Sequence, residues 1–552
     1  MPGSKSIQWP VPFLALSGGR TVDLPRDVFA GITLAAMILP LNIGYAQVAG
    51  LPPTTGLYAA IIPLVVFAIF SSSRHLVSGP DATVGAMIGA ALIAFAAPGE
   101  DLRLDYALAL AILSGGLFLL FWLFRLAFLA NFLSRAVLAG FVTGLAIEVL
   151  TKQVHKILGV SHDEGAEHAS RLAEAAQGIH ETVAASMDST GFFLELIVLF
   201  ESIPHANLFS VAIGVAAFAI VRGLKKFAPK IPGALVALIT LTLVVALFGL
   251  DKKGVSILGD LPSGLPTLTF PAVPLADYFR LLPGALALVA ILMCEGLLLS
   301  RTYANKHRYK ADGNQLMFAY GAMNVVAGCT GSLISGPSPS RSAAMEASGS
   351  NSQRPSLVAA VVIAVVMLFF TETLAYLPNA ALAGIVANAV LSLVEVKEFR
   401  EFWQVRRSEF WVALICLMGV LVLGPLRGVL IAFLMAVIDL LGRASRPGTW
   451  VLRESADGGH LEPAVDAEGA DHSGLVVYRF GASLFFANAN VFSEDIERLT
   501  AGEQPVRWFV LDAEAMMDMD TSGAEAVHVT LGMLDTKAIT FGLSRANPPL
   551  LE

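Results

Sequence analysis

Apolar runs of membrane-crossing length recur along this chain from about Asp27 to Leu441 and then stop. A helix needs roughly 20 mainly apolar residues to span the hydrocarbon core. Ala107–Phe124, Ala234–Leu250, Leu357–Phe370 and Trp411–Leu423 follow that pattern. In lipid every backbone polar group must be paired within the protein, so such runs can only be helices. The composition agrees: 55% of the 552 residues are hydrophobic and 14% charged, where a soluble domain carries about 25% charged residues. There are about fourteen apolar segments, several short or broken by Gly and Pro. The residues up to Arg26 show no signal-peptide cleavage pattern, so the first apolar segment is expected to be a retained span. The three cysteines, Cys294, Cys329 and Cys416, lie in or beside apolar segments and form no disulfide framework. The net charge of -8 identifies no partner, because the acidic residues sit mainly in loops and the tail, and nothing indicates nucleic acid.

Charge asymmetry orients the segments. With the N-terminus in the cytoplasm, the inner loops carry Arg74, Arg125 with Arg135, Arg222 with Lys225, Lys226 and Lys230, Arg301 to Lys310, Lys397 to Arg407, and Arg443 with Arg446. The opposite loops carry the acidic stretch Ser161–Gly191, Glu100, Asp101 and Asp251, with Lys252 and Lys253 dissenting. This is the positive-inside pattern. It places both termini in the cytoplasm and predicts an even number of spans in an inner or plasma membrane.

After Arg446 the chain changes character. Val476–Phe480, Ser483–Phe486 and Trp508–Leu511 read as strands, short and β-branched or aromatic. Helical stretches near Val491–Leu499 and Ala524–Leu534 alternate with them, which predicts a small α/β domain with a partly parallel sheet. The predicted organisation is an N-terminal segment 1–26, a transmembrane domain 27–446 with repeats at 27–250 and 281–446, a linker 447–473 and an α/β domain 474–552.

One tripeptide occurs in both halves of the membrane domain, as Ser78-Gly79-Pro80 and as Ser335-Gly336-Pro337. Each adjoins a short, small-residue segment, Asp81–Ala94 and Ser338–Ala347. Paired short or Gly/Pro-interrupted segments in two halves are the best sequence pointer to a transporter's binding site. Pro is tolerated in a first helical turn, and the free N–H groups and positive dipole end beyond it can hold an anion. The plain alternative is a pair of ordinary loop turns, which symmetric placement disfavours.

Ionisable residues within the apolar segments are the other candidates. Glu295 lies in the span Leu281–Leu299; a carboxylate there is costly and becomes a candidate proton carrier. Arg341 follows Ser338 and Ser340 at the start of the second short segment, where a cation is unfavourable without an anion or carboxylate nearby. Its non-functional alternative is a permanent pair with Glu295 or Glu346. Asp81 is either part of the site or an N-terminal helix cap. Glu148 and Glu372 read as structural.

Leu39-Pro40, Gly44-Tyr45-Ala46, Ala49-Gly50-Leu51-Pro52-Pro53 and Gly56-Leu57-Tyr58 closely resemble the signature of the sulfate permease (SulP) family. Ser73-Arg74-His75, Gly140-Phe141, Ile231-Pro232-Gly233, Glu295, Asn314-Gln315, Asn324 and Ser340-Arg341-Ser342 continue the match. The resemblance implies fourteen transmembrane segments in two inverted seven-segment repeats, split into core and gate domains, with a cytoplasmic STAS domain and a homodimeric state. Asp520-Thr521-Ser522-Gly523 resembles the STAS pattern. The family moves sulfate, bicarbonate, dicarboxylates or halides. Three positions depart from its pattern. Leu41 stands where many members have Gln, Asp81 stands where a neutral residue is common, and Leu299 replaces the hydroxyl that accompanies a carboxylate like Glu295 in sodium-coupled members. The last departure favours protons over sodium. A full STAS pattern carries a further strand and helix after Ala546, so an incomplete C-terminus is expected.

These readings predict a secondary anion transporter, with proton-coupled uptake of sulfate or a related small oxyanion. Tyr45, Pro80, Asp81, Ala82, Ser338, Ser340 and Arg341 form the predicted substrate site, and Glu295 couples the proton. The rivals are bicarbonate or C4-dicarboxylate transport, exchange, a channel, and a membrane-anchored STAS regulator. No nucleophile–base arrangement, metal-ligand spacing or phosphate-binding Gly loop is present, so no enzyme, cofactor or metal is expected. Thr521 or Ser522 resembles the hydroxyl phosphorylated in anti-sigma-factor antagonists; phosphate there adds roughly -1.5 to -2 charge. The expectation is a phosphorylated Thr521 or Ser522 in native membranes and altered uptake on Asp substitution. An unmodified peptide by mass spectrometry with unchanged transport discards it.

Overall fold

The computed structural model describes residues 10–16, 24–96, 101–128, 134–159, 192–228, 231–454, 461–463, 474–502 and 505–547. The acidic stretch 161–191 and most of the predicted linker lie outside them. The chain divides into two compact units, Met1–Leu434 and Met435–Glu552.

The first unit is helical. Among its described residues seven helices are long and apolar enough to cross a membrane: Leu24–Val48, Pro53–Phe70, Leu102–Leu123, Arg135–Leu158, Leu208–Phe227, Leu275–Lys306 and Asn379–Val405. Ala82–Leu92, Gly233–Phe248 and Arg354–Phe369 are apolar but shorter. Length and composition alone therefore do not reproduce the expected fourteen. One reason is that Ala82–Leu92 and Pro339–Ala347, with 11 and 9 residues, are half-helices. At about 1.5 Å per residue neither crosses a bilayer of about 30 Å.

Each half-helix is entered by a two-residue strand, β1 (Ser78–Gly79) and β2 (Gly336–Pro337). Extended backbone at this depth is tolerated only where protein satisfies it, and the surrounding side chains do so. Gln353 donates to the carbonyls of Ser73 (2.9 Å) and Leu76 (2.6 Å), and Ser342 Oγ accepts from the Val77 amide at 2.9 Å. Asn324 accepts from the Ser335 amide at 2.8 Å and donates to its carbonyl at 3.1 Å. At the far end of the first half-helix, buried Arg103 donates to the carbonyls of Ala49, Gly89 and Ala96. A cation there is favoured by the negative end of the dipole. Cys294, Cys329 and Cys416 are free thiols.

The second unit holds a five-stranded sheet of β3 (Thr449–Glu454), β4 (Leu461–Pro463), β5 (Leu475–Phe480), β6 (Trp508–Asp512) and β7 (Thr540–Ser544), ordered β4-β3-β5-β6-β7. β5, β6 and β7 run parallel through the crossover helices Ala489–Thr500 and Thr521–Thr536, while β3 is antiparallel to β5. Val476, Tyr478, Phe480, Phe492, Phe509 and Leu511 fill the core. Two sequence expectations are corrected here. Part of the 447–473 stretch read as linker forms β3 and β4. Ser483–Phe486 is not a strand: Asn488 Oδ1 takes the Phe485 amide at 2.9 Å and closes a turn, leaving Leu484 in an isolated bridge with Met519.

Asp520 caps Thr521–Thr536, accepting from the amides of Gly523 (2.8 Å) and Phe486 (3.0 Å). The cap is thus the carboxylate and not the hydroxyl of Thr521 or Ser522. Those amides, Gly523 first, hold the Asp520 carboxyl below the usual carboxylate range. A depressed carboxyl contributes stability above its unfolded value and loses it as the pH falls through the folded one. Asp520→Ala is therefore expected to lower the thermal midpoint of the α/β unit at neutral pH, in scanning calorimetry of the full chain. The gap from wild type closes below about pH 4; an equal gap at pH 3 and pH 7 contradicts this account.

Candidate functional site

The echoed tripeptides meet each other. β1 and β2 pair antiparallel, Ser78 opposite Pro337 and Gly79 opposite Gly336. Ser78 Oγ donates to the Gly336 carbonyl at 2.9 Å, and the Ser338 amide donates to the Val77 carbonyl at 3.0 Å. The pairing sets the N-ends of the half-helices side by side, with Asp81 and Ser338 at their N-caps.

Arg341 occupies the crossing and is 1% exposed. Its Nε donates to Ser338 Oγ at 2.9 Å, one Nη donates to Asn42 Oδ1 at 3.1 Å, and the other donates to the Pro80 carbonyl. Three of its five N–H donors are thus spent on protein, and two remain. A Cβ on Gly79 would overlap the guanidinium, so a larger residue there would push the Arg341 head group out of its place. Neither alternative partner holds Arg341: Glu346 is taken by Lys306 (2.8 Å) and His307 (2.5 Å). The carboxylate acting on Arg341 is Asp81. Asp81 lies near the Ala82 and Thr83 amides and the Ser338 hydroxyl, without the geometry of a side-chain cap bond.

The other predicted residues gather around this centre unevenly. Tyr45 is buried on the first long helix, within the electrostatic reach of both Asp81 and Arg341. Pro80 contributes its carbonyl, and Ala82 is buried in the first turn. Glu295, on the helix Leu275–Lys306 that packs against β2 and the first half-helix, lies within the electrostatic reach of Asp81. The buried hydroxyl of Tyr320 lies near Glu295. Ser340 is on the first turn of the second half-helix, exposed. Elsewhere, Glu148 pairs with Lys152 at 2.9 Å, and Glu372 is exposed.

Asn42 is a site residue that the sequence reading gives no role. It accepts from Arg341 and donates to the Gly56 carbonyl at 2.8 Å. Its signal is an amide inside an apolar span, next to Leu41, where the family pattern already calls for a polar side chain.

A helical membrane unit centred on two broken helices is a transporter architecture, and here a small α/β domain follows it in the chain. Residues 24–416 match the profile of the Sulfate permease family, and residues 466–552 match that of the STAS domain. The chain belongs to the sulfate permease family. It is 34% identical over 537 residues to the probable sulfate transporter Rv1739c of Mycobacterium tuberculosis, covering 96% of this chain and 90% of that one. It is 28% identical over 546 residues to sulfate transporter 1.1 of Arabidopsis thaliana, covering 95% and 81%. Among solved structures it resembles SLC26A9, with a TM-score of 0.84 at 19% identity over 98% of this chain and 88% of that one. It also resembles the transmembrane domain of a cyanobacterium bicarbonate transporter, BicA, with a TM-score of 0.61 at 23% identity over 76% and 99%. At these identities the structural likenesses establish the fold.

Arg341 is expected to supply the fixed countercharge of a bound anion. Losing a charge-assisted hydrogen bond costs on the order of 1.5–3 kcal/mol, so Arg341→Ala weakens binding about tenfold to a hundredfold. Lys restores charge without the forked geometry and recovers part of the affinity. Arg74, whose guanidinium lies 5.4 Å from the Tyr309 ring centroid, serves as the control. Wild-type affinity of folded Arg341→Ala in a calorimetric titration refutes the assignment.

Proposed function

We propose that the chain is a secondary active transporter of an inner or plasma membrane, working as a homodimer, that takes up sulfate or a related small oxyanion with protons. The observation that carries this reading is the antiparallel meeting of β1 and β2, which puts two positive helix ends, Arg341, Asp81 and Glu295 into one polar centre. The anion binds between the half-helix N-ends, on backbone amides, Ser338, Ser340 and the free donors of Arg341. Tyr45 closes the site. Movement of the half-helix-bearing core against the rest of the unit exposes it to each side in turn.

The charges support coupling to protons. With Asp81 and Glu295 both ionised beside one guanidinium, the centre carries a net negative charge and repels an anion. Each proton accepted by either carboxyl raises that charge by one. Proton and anion therefore favour each other's binding, which is the linkage a symporter needs. The membership of the sulfate permease family and the sulfate transporters among its relatives support the choice of substrate.

Uptake of labelled sulfate, bicarbonate and fumarate into proteoliposomes, with and without a pH gradient, tests the reading. Wild type is expected to concentrate sulfate only on an inward proton gradient. Glu295→Gln, permanently neutral, is expected to keep anion binding and lose gradient-driven accumulation. If Glu295→Gln concentrates sulfate normally on a pH gradient, another group carries the proton.

A further inference from the structure

Beyond the central site the first long helix continues to a second polar group. Gln47 lies two residues past Tyr45 and five past Asn42, hence about 3 Å and 7.5 Å further along the helix axis. Its Oε1 accepts from Lys156 Nζ at 3.1 Å, and its amide nitrogen donates to Asn379 Oδ1 at 3.0 Å. Asn379 in turn donates to Ser256 Oγ at 2.8 Å and to the Ile257 carbonyl at 3.2 Å. Lys156 is in the last turn of Arg135–Leu158, and Asn379 opens the helix Asn379–Leu391. Four separate elements thus converge here, at the end of the membrane unit away from Arg135.

The accounting of charge is unusual. An ammonium has three donors and no acceptor, and one neutral amide oxygen takes one of them. Gln47 and Asn379 spend their own donors on each other and on Ser256 and Ile257, so the network adds no negative charge. The nearest carboxylate on the same helix, Glu148, belongs to Lys152. Among the described residues no carboxylate pairs with Lys156. The negative end of its own helix offsets part of the cost of this cation, yet it has no full counter-ion, and a glutamine closes the same hydrogen bond without that cost. Lys156 is partly buried, and the positive first turn of Asn379–Leu391 adds to its field.

We propose that Lys156, with Gln47 and Asn379, forms a second anion subsite, where a small oxyanion pauses between the central site and the membrane face opposite Arg135. The inference rests on the transport reading above and assigns that pathway its stop on this side.

The test is sulfate transport by the full chain in proteoliposomes of one orientation, with KM measured from each face. Lys156→Gln keeps a donor for Gln47 and loses only the charge. It is expected to raise KM from the face opposite Arg135 about tenfold, the loss of one charge-assisted hydrogen bond. KM from the other face stays within about twofold of wild type. Lys156→Arg restores most of the affinity, and Lys252→Gln, an exposed charge, changes neither face. An active wild type whose KM survives Lys156→Gln overturns the subsite alone. An equal rise at both faces with a lowered thermal midpoint also overturns it, because Lys156 is then a tie between helices. A wild type that moves no anion at all overturns the transport reading itself.

Discussion

A guanidinium buried where two positive helix ends converge is the constraint on which the centre of this protein depends. Desolvating Arg341 is expensive, and the amide ends of the half-helices make it more so. The surroundings are arranged to offset that cost. Ser338 and the Pro80 carbonyl come from the two half-helix entrances, and Asn42 comes from the first long helix. One side chain therefore holds three elements in register. Asp81 supplies the negative charge, and the absent side chain of Gly79 supplies the room.

The rest of the unit is organised to let backbone remain unwound at that point. The four residues of β1 and β2 are extended where lipid-facing backbone is excluded, and an unmet N–H or C=O there costs several kcal/mol. Each strand takes the other as partner. What remains is met by uncharged side chains: Gln353 and Ser342 before β1, Asn324 before β2, Ser78 across the pair. Neutral polar residues thus serve as scaffold, while Arg341, Asp81 and Glu295 carry the charge of the centre. Arg103 works at a distance, anchoring the outer end of the first half-helix so that its inner end stays fixed.

This division explains what was legible in the sequence. The tripeptides could be found because they are identical, and Glu295 and Arg341 because charge inside an apolar run stands out. Asn42, Gln353 and Asn324 carry no charge, and their roles depend on carbonyls brought near by the fold. The partner of Arg341 was also hidden. Glu346 is close in sequence, but it lies at the far end of the half-helix, among Lys306 and His307, and Asp81 reaches Arg341 only because β1 and β2 pair. In the α/β unit β3 escaped notice because it pairs with β5 across a polar stretch, with no local alternation to mark it.

Under the proposed function, Asp81 lets one centre hold an anion firmly and still release it. A fixed arginine between two helix ends, left alone, binds an anion in every state of the cycle. A carboxylate beside it competes for the same guanidinium, so the site offers a countercharge only when that carboxylate is protonated. In the proposal Glu295 extends the competition, because it brings a second carboxyl into the reach of Asp81. In the proposed cycle the proton therefore does not travel beside the anion on a separate path; it removes the internal rival for Arg341. Loss of the proton on the low-proton side restores that rival and expels the substrate. In this proposal Asp81, the position at which this chain departs from the neutral residue common in its family, links the charge of Glu295 to that of Arg341.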